Sequence, residues 1–172
     1  MTWTAPAPPA LTDGPTTGDD RPMLEAMLEW HRWTLPNICA GLSDEQLATR
    51  PIASSNLSLL GLLRHMAKVE RIWFRKRVAQ QDVEHLHDFD ARNDTDFNVI
   101  DASDAERAYD ELVQEQRAAA SSVADLPFDL EIETHHGAMS LRMVHLHMIQ
   151  EYARHNGHAD LLREAIDGTT GR

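Results

Sequence analysis

The sequence predicts an all-α fold, a four-helix bundle, from three features. Apolar residues recur at helical spacing through four long stretches, and capping residues and glycines mark the ends of those stretches. Only one short segment, 128–134, alternates as a strand would. Helices joined by short turns, with one long crossover, describe a bundle whose sites are built from side chains on facing helices.

Residues 1–20 are rich in Pro, Thr, Ala and Gly and show no period. They offer too little burial to offset their ordering entropy, so a disordered N-terminal arm is expected there. Residues 21–172 read as one domain, because a chain of 172 residues suits a single core. Asp20 is a candidate N-cap with Pro22 in the first turn, and Met23, Leu24, Met27, Leu28, Trp30 and Leu35 give the helical period of a first helix over about 21–40. Pro36 should kink that helix and Gly41 close it. Ser43 and Gln46 form a capping box for a short helical turn, and Arg50-Pro51 with Ser54-Ser55-Asn56 make a loop.

From Ser58 to about Ala79, Leu59, Leu62, Leu63, Met66, Val69 and Trp73 lie on one stripe, with Arg64, Lys68, Arg71 and Arg75 mostly opposite. That is the second helix. Residues 81–102 are rich in Asp and Asn without a sustained period, and a connection this long is usually functional or mobile. Ser103 and Glu106 read as a second capping box opening a third helix over about 104–124, ended by Pro127. A short strand over 128–134, a turn at His135-His136-Gly137, and Ser140 as the cap of a fourth helix over about 141–166, with Gly168 beyond it, complete the chain.

The balance of 28 Asp and Glu against 16 Lys and Arg gives a net charge of −12, which disfavours nucleic acid and anionic membranes as partners. The single cysteine, Cys39, excludes an intramolecular disulfide framework and a cysteine-based zinc site, and suits a reducing compartment. The N-terminus lacks the basic and apolar regions of a signal peptide and no stretch is apolar enough to span a bilayer, so a cytoplasmic location is expected. Histidine stands out: four of the ten, His145, His147, His155 and His158, fall within one short segment.

On a helical wheel, Leu141, Val144, Met148, Tyr152, Ala159, Leu162 and Ile166 form the core stripe of the fourth helix, and Glu151 and His155 fall within it. An ionised carboxylate taken out of water costs several kcal/mol, so it needs compensation. A Glu151–His155 ion pair would supply it, as would a polar network with Arg or Tyr from neighbouring helices. A divalent metal is the third option, provided another helix brings a further ligand. His65, at the edge of the second helix's stripe, is that further donor, giving a His/Glu/His set with open positions. Such a site would fail if the His65 ring lay more than about 8 Å from the other two, far beyond metal bonds of about 2 Å.

Two segments are recognisable. LSLLGLLRHMAKVERIWF at 57–74 and HMIQEYARHNGHADLLRE at 147–164 resemble the DinB/YfiT-like metalloenzyme superfamily, in particular its actinobacterial mini-circle branch, related to the N-terminal domain of mycothiol-dependent maleylpyruvate isomerase. The resemblance runs from about residue 22 to 168. It implies that His65, Glu151 and His155 bind a divalent metal, Zn²⁺ or Ni²⁺, with Glu standing where many members have the first His of the pair. It also implies a thiol-dependent S-transferase or isomerase, with mycothiol as cosubstrate and a small electrophile as its partner, in a chain able to form a homodimer. A thiol on a metal is deprotonated, which makes that chemistry sound. The isomerase has an additional C-terminal domain contributing to its active site, and this sequence ends at Arg172, so the isomerase's own substrate is not carried over. A noncatalytic metal-binding or stress-related module, and a metal-dependent hydrolase, are the alternatives.

His158, one turn beyond His155, is expected to hydrogen-bond behind the ligands. His147 reads equally as a boundary residue, while His85, His87, His135 and His136 fall in loops and are expected to be solvated. Cys39, Trp30, Trp33 and Trp73 read as packing residues, and Arg154 relates to Glu151 only loosely.

Overall fold

The computed structural model describes residues 3–87, 94–135 and 137–171. It is mostly helical, with one two-stranded sheet. In chain order the elements are α1 (Asp20–Cys39), α2 (Asp44–Ala48), α3 (Leu59–Glu70), α4 (Thr95–Asn98), α5 (Ala105–Val123), β1 (Glu131–Thr134), β2 (Gly137–Ser140) and α6 (Leu141–Asp167). α1 packs on α6, and α3 packs on α5 and α6. Their shared core is built from Leu28, Leu35, Leu62, Leu63, Met66, Phe74, Leu112, Met148 and Tyr152, all at or below 1% exposure.

The helix ends follow local chemistry. The Ser43 hydroxyl and Gln46 amide cap α2 reciprocally, Ser58 accepts from the Gly61 amide, and Ser140 accepts from the Met143 amide. Gly41 and Gly168, both at φ +79°, take the left-handed turn that ends α1 and α6. Two expected caps form differently. Asp20 lies inside α1, behind Asp19 at the cap position, and the Ser103 box is not made. Asp101 instead accepts from both the amide and the hydroxyl of Ser103, turning the chain through a 3₁₀ turn at Ala102–Asp104 into α5. An Asp two residues before a free amide competes well for it.

α3 runs on past Glu70 as a π-helical segment, Arg71–Val78. Its wider winding brings Phe74 to the core at 0% exposure and leaves Trp73 half-buried. Trp30, expected to be packed, is 46% exposed. The single strand predicted over 128–134 is half of a hairpin: β1 pairs antiparallel with β2, Ile132 opposite Met139, and Gly137 at φ +99° admits the tight return. The expected turn includes His136, which lies outside the described residues.

The arm, expected to be disordered, makes specific contacts along residues 3–9. Thr4 bridges to Ser43, Ala5 is 3% exposed and bonds through its backbone to Gly41 and Leu42, and Trp3 stands edge-on to Tyr109. Tyr109 donates to the Pro6 carbonyl and Trp33 to that of Pro9. Prolines restrict this segment before it docks, so its ordering costs less than its composition suggests. No helix among the described residues is long and apolar enough to cross a membrane.

Candidate metal centre

α3 and α6 run in opposite directions, so that His65 meets His155, Glu70 meets Tyr152 and Trp73 meets His147 in successive layers. The leucines of α3 and the stripe of α6 from Leu141 to Leu162 press these helices together. His155 is buried on that stripe, whereas Glu151 sits at its edge. Ligand atoms of His65, Glu151 and His155 all lie within 4.8 Å of one another. The two rings are 4.7 Å apart between centroids, and Glu151 Oε2 is 3.6 Å from His155 Nε2. Side-chain exposures of 18%, 17% and 11% for His65, Glu151 and His155 leave the cluster open to solvent on one side.

Each imidazole has a partner behind it. His65 Nδ1 lies 2.6 Å from Asp96 Oδ2, and the same oxygen takes Lys68 Nζ. Burial alone would raise the Asp96 carboxyl, but the hydrogen bonds from His65 and Lys68 outweigh it and hold the group well below the usual carboxylate range. Asp96 is therefore an acceptor, so His65 donates through Nδ1–H, which leaves Nε2 as the ring nitrogen not engaged by Asp96. His155 Nδ1 lies 3.4 Å from His158 Nδ1. Burial, then the neighbouring His65 and His158 rings, push His155 down to about 3, so it is neutral at physiological pH. Arg154 approaches Glu151 Oε1 at 3.5 Å from the solvent side.

Beside the cluster lies a second polar set within the core. Arg32 clasps Glu70 with two bonds of 2.7 Å, Tyr152 donates to Glu70 Oε1 at 2.8 Å, and Gln116 donates to the Tyr152 oxygen. The Arg and Tyr network considered for Glu151 is thus built around Glu70. The basic residues opposite the apolar stripe are all engaged: Arg64 with the carbonyls of Thr95 and Val99, Lys68 with Asp96, and Arg71 and Arg75 of the π-helical segment with Glu115.

The other histidines separate. His145 is buried between Phe74 and Phe128 and donates to the Leu141 carbonyl, and His147 packs on Trp73. His85 and His135 are exposed. His87 is not solvated as expected: it tucks beside Arg64 Nη2 at 3.3 Å, and burial, then the Arg64 charge, lowers it to about 4. Cys39 is fully buried, and burial pushes its thiol up to about 12 despite the nearby Arg163.

Among families, the model of the mycothiol-S-transferases matches residues 23–168. The chain belongs to the mycothiol-S-transferase family. No curated protein and no solved structure matches it. For a mycothiol-S-transferase family member, the burial of Cys39 matters, because the chain's single cysteine is then no accessible thiolate of its own. Sequence reasoning missed Asp96 and Glu70 in this site. Asp96 stands next to Phe97 in a polar stretch, and an aromatic residue after an acid was the one local hint that the segment docks. Glu70 falls on the apolar stripe of its helix, one turn beyond Met66, which is a hint of burial, although its partner on another helix is not legible there.

Proposed function

We propose that this protein joins the sulfur of mycothiol to a small electrophile at a divalent-metal centre held by His65, Glu151 and His155. The observation that carries the reading is the convergence of two imidazoles and one carboxylate within 4.8 Å, with Glu151 Oε2 3.6 Å from His155 Nε2, wider than a direct hydrogen bond. Donors about a single zinc ion, each bonded at about 2.0–2.2 Å, have a similar span. The donor set fits: neutral imidazole suits Zn²⁺ or Ni²⁺, the carboxylate offsets the cation's charge, and three protein ligands leave a position open.

A bound cation would supply the positive charge that keeps a thiol deprotonated near neutral pH. The chain's own residues prepare for this. Burial keeps His155 unprotonated, the Asp96 bond leaves His65 Nε2 free, and the exposed rim at His65 and Glu151 lets a thiol reach the cluster. We read the four long helices as a DinB-like bundle, residues 21–172 as one domain, and the cytoplasm as its place of action.

Elemental analysis of protein purified without an affinity tag, together with turnover of a thiol-reactive electrophile, tests the proposal. Close to one metal ion per chain, and mycothiol-dependent conjugation lost in Glu151→Ala, are expected. Metal-loaded protein that conjugates no such thiol would sustain the noncatalytic reading, and turnover without thiol would sustain hydrolysis.

A further inference from the structure

The segment that carries Asp96 is far more firmly held than a surface connection needs. α4 has only four residues, yet its backbone carbonyls are taken by two arginines. Arg64 donates to the carbonyls of Thr95 and Val99, and Arg50 to those of Phe97 and Asn98. Asn56 donates to the Asn98 side chain at 3.0 Å. Phe97 lies over the His65 ring at 4.8 Å, and Gly61 makes the approach possible: a Cβ there would stand 3.1 Å from Phe97 Cδ1. The result of this anchoring is one carboxylate, fully buried, delivered to His65 Nδ1.

That carboxylate is used on one side only. Oδ2 takes both His65 and Lys68, while Oδ1 is buried without a hydrogen-bond partner among the described residues. An orphaned buried carboxylate oxygen is costly, and such departures persist where function requires them. From this geometry we infer that Asp96 is a positioning residue of the metal centre: it fixes the ring plane of His65 and its Nδ1–H tautomer, so that Nε2 meets the cation. The inference rests on the metal reading above and goes beyond it, making the α3–α5 connection a working part of the centre. Lys68 balances the carboxylate's charge, so that Asp96 orients the ring without an unpaired anion beside it. Partners of this kind change metal affinity by about 10–100-fold when removed.

Two measurements test this. In the metal-free wild-type protein, ¹⁵N imidazole shifts should report His65 as the Nδ1–H tautomer, and in Asp96→Asn that preference should be lost. Competition with a chromophoric chelator should show Zn²⁺ binding about 10–100-fold weaker in Asp96→Asn than in wild type, with unchanged helical circular dichroism. A wild-type His65 carrying its proton on Nε2 overturns the proposal even if the variant does not fold, as does equal Zn²⁺ affinity in the two folded proteins. Wild-type protein that takes up no Zn²⁺ overturns the metal reading and this proposal with it, so the two failures are told apart.

Discussion

Glu70 is fully buried beside Arg32, and the two bonds of 2.7 Å between them are what make that burial tolerable. Removing the acid alone leaves a guanidinium in the core, so Glu70→Ala is expected to cost about 3–5 kcal/mol, read from urea unfolding midpoints. Tyr152→Phe removes the hydrogen bond donated to Glu70 and the one accepted from Gln116, and the first alone is expected to cost about 1.5–3 kcal/mol in the same measurement. The contrast between Glu70 and Glu151 shows what a sequence reveals at this scale. Glu151 and His155 drew notice because they fell among the apolar positions of one helix, and His65 because it edged the apolar stripe of another. Glu70 lies on the apolar stripe of α3, one turn beyond Met66, and so carried the same signal as Glu151, which the sequence reading passed over; only the tertiary fold shows that Arg32 and Tyr152 enclose it.

The α3–α5 connection illustrates the same limit for whole elements. With no apolar period to read, 81–102 offered no means of placing α4, whose position depends on Arg50 and Arg64 reaching its carbonyls. The π-helical winding of Arg71–Val78 was equally hidden, since a 3.6-residue wheel carries Trp73, rather than Phe74, toward the core. Capping, by contrast, is local chemistry, and Ser43, Ser58 and Ser140 mark their helices as a reader of the sequence would place them. The connection also has its own acid response. His87 is lowered to about 4 by burial and by Arg64, against 6.5 when unfolded, so between those values the unfolded chain holds more protons than the folded one. The contribution of neutral His87 is complete above about 6.5 and is lost as pH falls toward about 4. The protection of α4 amides, corrected for the intrinsic exchange rate, should fall as pH drops through that window, and His87→Gln should flatten the dependence.

Across the molecule, the N-terminal strap closes the seam between α1 and α5 from outside the residues that match the family. Deleting residues 1–10 removes the Tyr109 and Trp33 hydrogen bonds and uncovers the seam. At about 1 kcal/mol per bond, and about 2–4 °C per kcal/mol for a domain of this size, a fall in Tm of about 4–8 °C is expected by calorimetry. Composition alone concealed this docking, because prolines that signal a loose tail also pre-form an extended one. Cys39 is sealed at the end of α1 with burial pushing its thiol up to about 12, so it is expected to be silent toward electrophilic dyes. In an assay of the proposed reaction, a colorimetric count of free sulfhydryls would therefore register the added thiol alone, and the native sequence would need no cysteine-free variant as a blank.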